Sequence, residues 1–162
     1  SMTGFEYALA ALLIQCGFIA EGLDCVRAVR ERYDGEKRNP WNEMECGSNY
    51  ARAMASYSLL NSFSGFAFDL VEQSMGFHPV GEGNFRCFWS LDSAWGEVEM
   101  ENAEITLSIL RGEISLRKFT APFPIAQARL GDEILASRWQ NGTCHLERTH
   151  ILRAGSRVVF CR

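Results

Sequence analysis

The sequence predicts an α+β chain in which residues 1–65 are helical and residues 66–162 form an antiparallel β-rich segment. Apolar residues recur at helical spacing up to about residue 65, and from Phe66 onward they recur with a period of two. Residues 104–109, for example, alternate cleanly between polar and apolar side chains. With 47% hydrophobic residues, the chain can form a packed core. We therefore expect a helical segment followed by an antiparallel sheet or small sandwich.

The first helix is expected over residues 3–16. Thr3 and Glu6 have the spacing of a capping box, in which each side chain accepts a hydrogen bond from the other residue's backbone N–H. Apolar residues cover nearly all sides of this helix, and Gly17 ends it. This distribution predicts a helix that is surrounded by protein.

The second helix, residues 18–33, is amphipathic and ends at Asp34-Gly35, whereas the third, ending near Phe63, is again apolar all round. This order of buried, amphipathic and buried helices is expected of the inner and outer layers of helical barrels. Three helices cannot bury two all-apolar helices unaided. We therefore expect either a partner or a larger helical domain to cover them.

The β-rich segment is expected to contain several short strands. Residues 111–113 are predicted to turn the chain between strands at residues 104–109 and 114–117. Asn141-Gly142 predicts a two-residue hairpin turn. The further expected strands are residues 85–89, 134–139, 144–151 and 158–161.

Composition excludes several classes of protein. A formal charge of −4 and a pI near 5.4 argue against a nucleic-acid partner. No apolar run is long enough to span a membrane. The six cysteines include no C-x-x-C pair, which predicts reduced thiols in a cytoplasmic protein. Cys144, His145 and His150 diverge on a strand, so neither a metal nor another cofactor is expected.

One charged residue stands out in the helical segment. Arg52 is the only charged side chain between Glu45 and Asp69, and it lies in a stretch expected to be buried. A guanidinium keeps its proton, so a buried one needs a carboxylate or a ligand as its partner. Glu43 and Glu45 are the nearest acids in sequence, and an anionic or hydroxyl-rich ligand is the alternative.

Four stretches of the first 65 residues resemble the C-terminal end of glycoside hydrolase family 116, the family of non-lysosomal glucosylceramidases and related bacterial β-glucosidases. These stretches are TGFEY at residues 3–7, VRAVRERYDG at 26–35, RNPWNE at 38–43 and ARAMAS at 51–56. The resemblance implies a twelve-helix (α/α)6 barrel, of which this chain supplies the last inner–outer–inner helices. It also implies retaining hydrolysis of β-glucosides. The family's nucleophile and acid/base lie upstream of this region, so no catalytic residue is expected here.

The same resemblance implies a sugar-binding pair. Family members hold the sugar hydroxyls with a glutamate and an arginine nine residues apart, and Glu43 and Arg52 match that spacing and context. Asn49 stands where many relatives carry histidine. Trp41, as a stacking platform for the sugar or as a packing residue, and Glu6 complete the candidate pocket residues.

Helical geometry leaves two arrangements open for the pair. Nine residues of one continuous helix rotate by about 180°, so Glu43 and Arg52 converge only if Glu43 lies in a loop and the helix begins near Ser48. In the alternative, Asn42 caps the helix, Glu45 completes a capping box, and Glu43 is a first-turn acid that complements the helix dipole.

Two functions follow from these observations. The first is the C-terminal fragment of a retaining β-glucosidase, which binds a β-glucoside together with the missing upstream part of the barrel and is inactive alone. The second is a non-catalytic, truncated relative that acts as a sugar-binding or interaction module and pairs with a second copy as a homo-oligomer.

Overall fold

The computed structural model describes residues 2–43 and 53–162, with the backbone alone at Ala53. The chain divides into a helical unit, Ser1–Gly65, and a β unit, Phe66–Arg162. The expected α+β class with a helical N-terminal part is confirmed. None of the helices formed by the described residues has the length and hydropathy needed to cross a membrane.

The helical unit contains α1 (Thr3–Gln15), α2 (Ile19–Arg32) and α3 (Ala53–Ser64), and α1 packs against both of the others. Gly22 of α2 lies so close to α1 that a Cβ atom at this position would lie 2.7 Å from Ile14 Cγ1. On the other side, Gln15 Nε2 donates a hydrogen bond of 3.2 Å to Ser62 Oγ. The first helix is therefore the centre of this unit.

The capping box predicted for α1 is wrong. Met2 is the N-cap residue, and no side chain caps this helix. The Thr3 hydroxyl instead donates to Glu43, and the Glu6 carboxylate accepts from Arg32. Tertiary partners have thus replaced the local pairing, because each side chain meets an ionised group from a distant part of the chain.

Several apolar side chains of α1 and α3 are exposed. On α1, the buried residues include Tyr7 and Ile14, whereas Phe5 is 69% exposed. On α3, Met54 is 76% exposed. The described residues supply only three helices, and these leave apolar side chains of α1 and α3 exposed, as expected if a partner or a larger helical domain covers them. The exposed apolar face comprises Phe5, Leu9, Leu12, Met54, Tyr57 and Leu60.

The strands of the β unit are β1 (Ala67–Asp69), β2 (Ser74–Gly76), β3 (Phe85–Ser90), β4 (Ala94–Glu101), β5 (Glu104–Thr120), β6 (Gln127–Leu130), β7 (Glu133–Leu135), β8 (Ser137–Gln140), β9 (Thr143–Arg153) and β10 (Arg157–Cys161). The unit is built around the long strand β5, whose 17 residues pair with four other strands. Its first half pairs with β4 and β10, and its second half pairs with β2 and β9. The pairing of β2 with β5 is parallel, and the other described pairings are antiparallel.

The turn expected at residues 111–113 is wrong, because β5 continues through it. Gly112 has a φ of +78°, and a Cβ atom there would lie 1.9 Å from the carbonyl oxygen of Ser93. Glycine is therefore required where β5 passes from one half of its pairings to the other.

The core of the β unit lies between the two halves of this sheet system. Phe119 of β5 and Phe160 of β10 stack with ring centroids 4.0 Å apart and an interplanar angle of 9°. The hairpin predicted at Asn141-Gly142 is confirmed: both residues have positive φ, and Gln140 and Thr143 pair across the turn. The strand expected at residues 134–139 is divided between β7 and β8.

Candidate functional site

The loop that follows α2 begins with a turn centred on Asp34. Asp34 Oδ1 accepts hydrogen bonds from the backbone N–H groups of Glu36, at 3.0 Å, and Lys37, at 2.8 Å. The Lys37 N–H lowers the pKa of the Asp34 carboxyl, and the Lys37 side chain adds to the effect. Gly35 adopts a φ of +95°, which allows the chain to reverse here. The Asp34-Gly35 pair thus ends the helix, as the sequence predicts.

A second turn, centred on Asn39, precedes Glu43 in the same loop. Asn39 Oδ1 accepts from the N–H of Trp41 at 2.9 Å, and its carbonyl oxygen accepts from the N–H of Asn42 at 3.1 Å. The backbone at Glu43 takes part in an isolated β-bridge. Glu43 therefore lies in the loop, as sugar binding together with Arg52 requires, and the interpretation of Glu43 as a first-turn helical acid is wrong.

The Glu43 carboxylate is buried against the start of α1. Glu43 is 6% exposed, and it accepts a hydrogen bond from the hydroxyl of Thr3, which is itself 2% exposed. A carboxylate removed from water needs hydrogen-bond donors, and the Thr3 hydroxyl supplies one. The contact fixes one end of the loop to the first turn of α1.

A second carboxylate occupies the same end of α1. Glu6, one turn after Thr3, accepts a hydrogen bond from Arg32 Nη2 at the end of α2. Roughly a third of each of these two side chains is exposed. Arg32 Nε is buried and has no hydrogen-bond partner among the described residues. Two carboxylates are therefore held at the first two turns of α1, one by the Thr3 hydroxyl and one by the Arg32 guanidinium.

The structure brings some of the predicted site residues together and leaves others undescribed. Glu43 contacts the start of α1 through the Thr3 hydroxyl. Glu6 is itself a residue of that end of α1. Trp41 is 71% exposed in this chain, so its side chain is available to a ligand or to a further element of the proposed barrel. Asn49 and Arg52 lie outside the described residues.

Sequence reasoning missed the roles of Thr3 and Arg32. The i, i+3 spacing of Thr3 and Glu6 predicts a capping box. The same spacing also places both side chains on one face of a helix, where they can meet residues from other elements. That signal was present in the sequence, but it does not identify the partners.

Within residues 2–43 and 53–162, no group of three or more His, Cys, Asp and Glu side chains is arranged to hold a metal ion. Neither a protein-family model nor a curated protein matches this chain.

Proposed function

We propose that the helical unit is the C-terminal part of a retaining β-glucosidase similar to glycoside hydrolase family 116, and that Glu43 belongs to its sugar-binding wall. The observation that carries the proposal is the position of Glu43, a buried carboxylate that lies off the helices and is held by Thr3. Burying a carboxylate opposes folding, so its presence here favours a role in binding. In the proposal, Glu43 accepts hydrogen bonds from sugar hydroxyls and Arg52 donates to them.

Hydrolysis requires residues beyond this chain. Retaining glycosidases use two carboxyl groups about 5 Å apart on either side of the scissile bond, and in the proposal both come from the upstream part of the barrel. The exposed apolar face of α1 and α3 supports this division, because it supplies a surface that further barrel helices would cover. In the proposal the enzyme is cytoplasmic, a compartment in which thiols such as that of the exposed Cys16 stay reduced.

The test is a hydrolysis assay of an aryl β-glucoside by the chain alone and by the chain mixed with the upstream part of a family 116 barrel. We expect activity only in the mixture. In that mixture, Glu43→Gln should weaken binding of the sugar in the transition state by about 1–3 kcal/mol, because charge-assisted hydrogen bonds to the sugar hydroxyls are lost. This corresponds to a roughly 5- to 150-fold loss of kcat/KM. Glu31→Gln, which removes the same charge from an exposed position on α2, is the matched control. Equal activity of the two variants would contradict the role of Glu43.

The second candidate function is a non-catalytic module that pairs with a copy of itself. The specific observation in its favour is again the exposed apolar face, which a second copy would cover in a symmetric dimer. Sedimentation would then show a dimer that Phe5→Glu converts to a monomer, and the mixture above would be inactive. A wild-type chain that sediments as a monomer counts against this candidate.

A further inference from the structure

A basic groove lies on the outer side of β5, β8 and β9. Four basic residues line it, together with Leu146 and Glu147, and the depression they enclose has a volume of about 530 Å³. The four basic residues are Arg117, Lys118, Arg138 and His145. This clustering is unexpected in a chain whose formal net charge is −4.

Strand register brings these side chains together. Lys118 of β5 lies opposite His145 of β9, and His145 lies opposite Arg138 of β8. Neighbouring strands are about 4.8 Å apart, so Lys118 and Arg138 bracket His145 across about 10 Å of sheet. Two long cationic side chains can converge over that distance on a ligand above the central strand.

A β-bulge in β5 brings Arg117, the fourth basic residue, to the groove. The register with β9 shifts between Leu116 and Lys118, and Leu116 and Phe119 are buried while Arg117 and Lys118 are not. A β-bulge turns consecutive residues toward the same side in this way. The N–H groups of Arg117 and Lys118 both donate to the carbonyl oxygen of Gln73, at 2.8 and 3.2 Å, which fixes the bulge.

The charges of the groove are only partly balanced. Lys118 forms an ion pair of 2.6 Å with Glu72. Arg117 and Arg138 form no ion pair with any residue in the described part of the chain. An anion in the groove would supply the partner that these two guanidinium groups lack within the described residues.

We propose that the basic groove binds a phosphate-type oxyanion. The planar guanidinium groups of Arg117 and Arg138 match the oxygens of a tetrahedral dianion, and Lys118 contributes a third positive charge. The carboxylate of Glu147 lies at the same depression and opposes anion binding. This site belongs to the β unit and does not depend on the function proposed for the helical unit.

The experiment is a titration of the 162-residue chain with inorganic phosphate at constant ionic strength, followed by backbone amide NMR shifts. We expect saturable shifts in the amides of β5, β8 and β9 that line the groove. Arg138→Gln should weaken binding about tenfold, because it removes a charge-assisted pair of hydrogen bonds. Glu147→Gln should tighten binding several-fold, because it removes a carboxylate that lines the groove and repels the anion.

The matched control is Arg153→Gln. Arg153 lies on the same strand as His145 but pairs with Glu113 at 3.2 Å and does not line the groove, so this variant should bind phosphate like the wild type. Sulfate should compete with phosphate, and acetate should not. The proposal is overturned if phosphate causes no saturable shift, if acetate binds as tightly as phosphate, or if Arg153→Gln weakens binding as much as Arg138→Gln.

Discussion

The contact between Thr3 and Glu43 allows the candidate site to be tested without any substrate. Thr3→Val keeps the shape of the side chain and removes only the hydroxyl that donates to the carboxylate. Both residues are buried, so water cannot readily replace the lost donor. A hydrogen bond to a charged group contributes about 1.5–3 kcal/mol, and we expect the free energy of unfolding to fall by that amount. The difference in helix propensity between threonine and valine is small by comparison.

The assay is urea denaturation followed by circular dichroism at 222 nm, which reports mainly on the helical unit. Thr3→Ser retains the hydroxyl and serves as the control, so it should lose less stability than Thr3→Val. If the free energy of unfolding of Thr3→Val stays within about 0.5 kcal/mol of the wild-type value, the range typical of an inconsequential surface substitution, then the hydrogen bond does not stabilise the loop. A loss in Thr3→Ser as large as that in Thr3→Val would contradict the role of the hydrogen bond, because the serine variant keeps the hydroxyl and lacks only the methyl group.

Three further predictions concern other parts of the chain. Gly96→Ala should lower the free energy of unfolding, measured by urea denaturation, by about 3 kcal/mol or more, because the added Cβ would lie 1.9 Å from the carbonyl oxygen of Ser108. A decrease of less than about 1 kcal/mol would contradict this prediction. Iodoacetamide should modify the exposed Cys16 and spare Cys144, because Cys144 is buried and burial raises the pKa of its thiol. Equal labelling of the two cysteines, measured by mass spectrometry of the folded chain, would refute this. Because hydrogen bonds lower the pKa of Asp34, its carboxylate should stabilise the fold above the ordinary pKa of 3.8 and lose that effect as the pH falls through the folded value. The stability difference between the wild type and Asp34→Asn should therefore be larger at pH 7 than in acid, and a pH-independent difference would disprove the linkage.

Local signals in the sequence predicted the elements that depend on neighbouring residues. The ends of α1 and α2 lie within about one residue of the expected positions, because Gly17 and the Asp34 turn act locally. Asn141-Gly142 specified its hairpin for the same reason. The continuation of β5 through Gly112 was not predicted, since a glycine with positive φ is as typical of a turn as of a bend in a strand.

Contacts between residues far apart in the sequence could not be predicted from such local signals. The parallel pairing of β2 with β5 joins segments more than 40 residues apart, and no periodicity encodes it. In the candidate site, the loop position of Glu43 was one of two alternatives, and its partner Thr3 lies 40 residues away. The basic groove depends on a bulge and on cross-strand register, neither of which is visible when Arg117 and Arg138 are considered along the sequence.

The length of β5 has a consequence for how the β unit opens. Because the same strand pairs with β4 and β10 at one end and with β2 and β9 at the other, neither set of strands can separate without exposing part of the shared strand. Its buried residues, such as Leu107 and Phe119, belong to one continuous core. Amide hydrogens at the centre of β5 should therefore exchange with solvent only when the whole unit unfolds, whereas those of the short outer strand β7 exchange through local opening.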